Sequence, residues 1–92
     1  MNAERKADLQ KIFDSHQFNI DMEDVIRISL QEDIFELNEN KKIVSKHIDV
    51  DFPYGEFIEI NEHSSLFQVL FSYFDIKDTH EESETILYFA EQ

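Results

Sequence analysis

An α+β fold is predicted by three features of the sequence. A run of twelve residues without Asp, Glu, Lys or Arg, His63 to Phe74, carries apolar side chains at helical period. Stretches on both sides of Pro53 and Gly55 alternate apolar and polar at period two. A length of 92 residues with one Gly and one Pro suits one small ordered domain, residues 1–92, rather than a loop-rich or disordered chain. The expected architecture is two N-terminal helices, an antiparallel sheet of about four strands, and a core helix before the last strand.

The first helix is expected over residues 3–16, where Leu9, Ile12 and Phe13 share a face among good helix formers. Asp21, followed three residues later by Asp24, resembles a capping box and opens a second short helix, Met22 to Gln31. Its inner face would be Met22, Val25, Ile26 and Leu30. The competing reading is a strand, because Ile26, Ile28 and Leu30 also alternate. From Asp33 the period is two: residues 34–37, a polar turn at 38–41, then a strand over 42–52. On that strand Val44, Ile48, Val50 and Phe52 point one way with Lys46 as a misfit, and Ser45, His47, Asp49 and Asp51 point the other. Pro53, Tyr54 and Gly55 turn the chain into a third strand over 56–62, with Ile58 and Ile60 inward and Phe57, Glu59 and Asn61 outward.

In the charge-free run Leu66, Phe67, Leu70, Phe71 and Phe74 form the apolar face, Val69 and Tyr73 widen it, and Ser64 or Ser65 caps its start. A charged loop over 75–84 leads to the last strand, 85–91. Both faces of that strand are apolar, Ile86 and Tyr88 on one and Leu87 and Phe89 on the other, which places it in the centre of the sheet or beneath a second subunit.

Charge is the most informative property, with 21 acids against 8 bases and a net of −13. The imbalance is concentrated late. Residues 1–46 hold ten acids and seven bases, whereas residues 47–92 hold eleven acids and one base, Lys77. Ordinary acidic proteins intersperse the two signs, so the second half reads as a surface that presents negative charge, with plain solubility as the simpler alternative. The absence of Cys removes disulfides and thiolate chemistry and fits a reducing compartment. No apolar run approaches the ~20 residues of a membrane span, and the N-terminus reads as a polar helix start rather than a signal peptide, so a cytoplasmic protein without membrane contact is expected.

Little in the chain suggests catalysis. There is no Gly-rich phosphate loop, no G-x-S-x-G and no Cys nucleophile, and no enzyme activity is expected. With so many acids, some carboxylate pair must lie close, so proximity alone says nothing about acid–base work. His47, Asp49 and Asp51 alternate on one strand face and are of metal-ligating type. Neighbouring same-side residues sit roughly 7 Å apart on a strand, however, so a solvated face is the reading taken and no metal or cofactor is assigned. The 75–84 loop lacks the central Gly and ligand spacing of an EF-hand.

What remains is the acid surface. Duplex DNA carries a negative charge about every 1.7 Å, and its binding proteins grip it with Lys and Arg. Acids at alternate strand positions or one helical turn apart recur at roughly 5 to 7 Å, the right order for a phosphate-like array. The expected partner-binding acids are Asp49, Asp51, Glu56, Glu59 and Glu62 on the strands and Asp75, Asp78, Glu81, Glu82 and Glu84 in the loop. Direct nucleic-acid binding is disfavoured by the same charge. An acidic immunity-type inhibitor that plugs one basic nuclease is the alternative.

The length, the acidity and the segments MNAERKADLQKIFDSHQF and DVDFPYGEFIEI resemble the anti-restriction nuclease (Arn) family of T-even bacteriophages, over the whole chain. That resemblance implies a DNA-mimicking homodimer in the host cytoplasm. Its partner would be the modification-dependent restriction endonuclease McrBC; other host DNA-binding proteins are a further expectation of the acid surface itself. It supplies no catalytic motif.

Overall fold

The structure, a computed structural model, describes residues 3–37, 40–75 and 85–90, with side chains described for all of these except 34–37 and 40–44. Its elements in chain order are α1 (Ala3–Ser15), β1 (Arg27–Leu37), β2 (Asn40–Asp51), β3 (Phe57–Asn61), α2 (Ser65–Tyr73) and β4 (Thr85–Phe89). The four strands form one antiparallel sheet in the order β3-β2-β1-β4. The α+β class and the four-strand antiparallel sheet agree with the sequence reading; the arrangement of helices and strands within it differs.

Both helices contribute to a core on one face of the sheet. Leu9 and Phe13 of α1 and Leu66, Phe67 and Leu70 of α2 join Ile28, Leu30, Ile48, Val50 and Ile60 in a single buried cluster. The period-two reading of 46–51 and 57–61 therefore sorts the two faces correctly. No described helix is long and apolar enough to cross a membrane.

Local chemistry accounts for the ends of the helices. α1 closes with the Phe18 N–H donating to Phe13 O at 2.9 Å and the Gln17 N–H to Asp14 O at 3.0 Å, with Gln17 in the left-handed region at φ 59°. This is a Schellman motif, and its usual apolar contact is supplied by the Phe13 and Phe18 rings, 5.9 Å apart. α2 begins with Ser64, whose Oγ accepts the Phe67 N–H at 3.2 Å.

Residues 22–31 are not a helix. Only Met22–Asp24 forms a single 3-10 turn, with Asp21 Oδ1 accepting the Glu23 N–H at 2.9 Å, and β1 starts at Arg27. The alternating Ile28 and Leu30 are buried in the sheet between β2 and β4, so two partner strands decide what local propensity left balanced. The side-chain amide of Gln10 secures the connection, donating to Ile20 O and accepting the Met22 N–H, both at 2.9 Å.

β4 is an edge strand, not a central one. Its apolar residues on both faces follow from a register shift opposite Ile28 and Ser29, where Leu87 is the extra residue. Leu87 and Tyr88 both enter the core, leaving Ile86 and Phe89 46% and 63% exposed. Lys46 also ceases to be a misfit. It stands opposite Glu32 across the strands and carries its ammonium 5.5 Å from the centre of the Phe71 ring. Between β2 and β3 the chain turns through Pro53, Tyr54 and Gly55. Tyr54 and Gly55 take φ of 68° and 81°, a conformation that glycine adopts without strain.

Candidate acidic interface on the outer face of the sheet

The face of the sheet opposite the helices is set by register. Running from β3 to β4, one row is Phe57, Asp51, Arg27 and Phe89, and the next is Glu59, Asp49, Ser29 and Ile86. Asn61, His47 and Gln31 form a third row, and Ser45 with Asp33 a fourth. Carboxylates thus gather on β2 and β3, and apolar side chains on β4.

The expected acids do not act alike. Asp51 is gripped by Arg27, whose Nε and Nη2 both lie 2.7 Å from Asp51 Oδ2, and its side chain is only 16% exposed. Asp49 is half-buried and its Oδ1 faces His47 Nε2 at 3.2 Å. The Oε2 of Glu62 accepts the Lys46 N–H at 2.6 Å, so this acid fastens the end of β3 to β2. Glu56 and Glu59 are exposed, as is Asp75, which follows α2 with φ 52°. Asp78, Glu81, Glu82 and Glu84 lie outside the described residues.

Other acids join those expected. Asp33, exposed and accepting the Ser45 hydroxyl at 3.0 Å, borders a concavity of about 420 Å³ with Ser45, Lys46, His47, Glu59 and Asn61. Asp21 and Asp24 border a second, of about 470 Å³, together with Glu56, Phe52 and Ile58. Sequence reading assigned Asp21 and Asp24 to a helix cap, and only the third dimension brings them beside Glu56. Glu32, 7% exposed on the core face opposite Lys46, is a buried acid that the sequence reading missed; its alternation with Ile28 and Leu30 is the signal that could have found it.

No protein-family model, curated protein or solved structure matches this chain.

The alternating trio His47, Asp49 and Asp51 is divided by these contacts, because Arg27 takes Asp51. Glu59, directly opposite Asp49, stands in its place: one ligating atom each of His47, Asp49 and Glu59 lie within 4.8 Å of one another. Shifts in pKa occur at Lys6 and Tyr73. Lys6 is raised by its hydrogen bond to Glu23, at 3.0 Å. Burial pushes the Tyr73 hydroxyl up, helped by Asp8, whose Oδ2 it reaches at 3.3 Å.

Proposed function

We propose that this protein is a DNA mimic that blocks a host modification-dependent restriction endonuclease of the McrBC type by occupying its DNA-binding surface. The observation that carries this reading is the outer sheet face, where Asp33, Asp49 and Glu59 stand on β1, β2 and β3, with Glu56 exposed just before β3, in a chain of net charge −13. Basic groups that displace counterions from phosphates meet carboxylates here instead. The resemblance to the phage anti-restriction family supports the same partner, in the host cytoplasm, with other host DNA-binding proteins as further targets. No catalytic role, cofactor or direct nucleic-acid contact belongs to the proposal.

The division of the outer face gives the mimic a second property. Ile86 and Phe89 are exposed on an edge strand whose outer backbone groups pair with no described strand. We assign this margin to a homodimer contact, which leaves the acids of β2 and β3 outward and lengthens the array. Sedimentation at low micromolar concentration and moderate salt gives two chains per particle; a monomer removes this part of the proposal.

The deciding experiment is competition with DNA for purified McrBC. Inhibition is relieved by excess DNA and weakens steeply as salt rises, because screening acts over about 8 Å at physiological ionic strength. Simultaneous binding of DNA and this protein, or inhibition indifferent to salt, overturns mimicry. Tight binding to one nuclease with no effect on unrelated DNA-binding proteins identifies the immunity-type inhibitor instead.

A further inference from the structure

We infer that His47, Asp49 and Glu59 form a binding site for a divalent transition metal of the zinc class. This inference does not depend on the mimic reading.

The site is built by the sheet. Asp49 on β2 and Glu59 on β3 are register partners, and His47 lies two residues from Asp49 on the same face. All three side chains therefore converge from rigid strands rather than from a loop. Their ligating atoms fall within 4.8 Å of one another, and His47 Nε2 lies 3.2 Å from Asp49 Oδ1. Ligands of a tetrahedral metal with bonds of about 2.0 to 2.2 Å sit roughly 3.3 to 3.6 Å apart, so the His47–Asp49 pair is already near that spacing. Glu59 is exposed on a long side chain, and a rotamer adjustment of about 1 Å brings its carboxylate in.

The pairing of Asp49 with Glu59 adds an electrostatic reason for a cation. Carboxylates directly opposite each other across a strand pair repel, and a divalent ion between Asp49 and Glu59 converts that repulsion into attraction.

The donor set selects the ion. One imidazole nitrogen and two carboxylate oxygens suit Zn, Mn, Fe, Co or Ni, whereas Mg and Ca prefer oxygen throughout. Three protein ligands leave a fourth position open, and the adjoining 420 Å³ concavity gives access to it. When filled, the site cancels two negative charges in the middle of the acid rows.

The test uses the full chain, stripped with a chelator and titrated with zinc chloride alone by calorimetry. One strong equivalent binds per chain, and the His47 ring resonances move ahead of those of His16 and His63. His47→Gln and Glu59→Gln each weaken this binding at least about tenfold, and Glu56→Gln leaves it unchanged. Circular dichroism shows that each variant is folded. Glu59 is exposed, so its variant keeps the test valid even where His47→Gln disturbs β2. Zinc taken up weakly at many equivalents, with His47→Gln and Glu59→Gln indistinguishable from the parent, means diffuse association with surface acids and overturns the site. Absence of saturable binding overturns it equally.

Discussion

Asp51 and Glu59 sit on adjacent strands of one sheet face and carry the same charge, yet they have opposite consequences for stability. The Asp51 carboxylate receives a hydrogen bond from Arg27 Nε and an ion-pair contact from Nη2, with the pair 16% and 39% exposed, while Glu59 faces water. Hydrogen bonds to charged groups contribute about 1.5 to 3 kcal/mol, and partial exposure of Arg27 reduces that through solvent screening. Asp51→Asn therefore costs about 1 to 2 kcal/mol by urea denaturation, since it leaves a partly buried guanidinium with a weaker acceptor. Glu59→Gln stays within about 0.5 kcal/mol of the parent, or gains through lower self-repulsion. Equal stability of the two variants would show that the Arg27 contact is energetically empty. Alternation in the sequence put Asp49, Asp51 and Glu59 on one face correctly. It carried no sign that Arg27, 24 residues before Asp51, would take one of them, because that pairing exists only once β1 lies beside β2.

At the scale of elements, legibility depended on whether local and non-local forces agreed. The charge-free run gave α2 with its cap and its buried Leu66, Phe67 and Leu70, because helical period and burial coincide there. Residues 22–31 carried both periods, and pairing on both sides of β1 settled them as strand. A register shift that turns Leu87 and Tyr88 into the core together has no signature in hydropathy, so β4 reads as central or as covered by a second subunit, and of these the central position is the one its place at the sheet edge removes. The contact between the helices makes a testable claim about pH. Tyr73 on α2 donates to Asp8 on α1, and burial, then Asp8, raises its pKa above the ordinary value near 10. The folded state thus holds this proton more tightly than the unfolded chain does. Its contribution is complete below the unfolded pKa and is lost as pH rises through the folded one. Lys6, raised by Glu23, acts in the same sense. Melting temperature accordingly falls above about pH 10, and Tyr73→Phe flattens part of that fall while Lys6 retains its share. A variant as steep as the parent would remove Tyr73 from this role.

For the molecule as a whole, charge and fold can be separated by substitution. Asp33 and Glu59 are exposed on the outer sheet face, Glu56 is exposed just before β3, and Asp24 is exposed beside Glu56. Asp51 and Glu62 are poor choices for such a test, because one holds Arg27 and the other the Lys46 N–H. Asp49 is set aside for its contact with His47. Replacing Asp24, Asp33, Glu56 and Glu59 together by Asn or Gln changes the net charge from −13 to −9 while keeping side-chain size. Self-repulsion falls, so the variant melts no lower than the parent apart from the loss of the Ser45 contact to Asp33, an exposed bond contributing about 1 kcal/mol at most. Inhibition of the nuclease falls by at least about tenfold, because complementarity and steering are what these charges supply. Phe13→Ala is the opposite control. Phe13 is fully buried, and its truncation costs about 3 to 5 kcal/mol, a large share of the stability of a small domain. Phe71, only half-buried against Phe67, would be a milder and less informative truncation. The pattern expected of a mimic is a quadruple variant that keeps its fold and loses inhibition, beside a Phe13 variant that loses the fold first. A quadruple variant that inhibits like the parent moves the binding surface away from β2 and β3, toward the acids that follow α2, and the same substitutions at Asp78, Glu81, Glu82 and Glu84 then decide between the two.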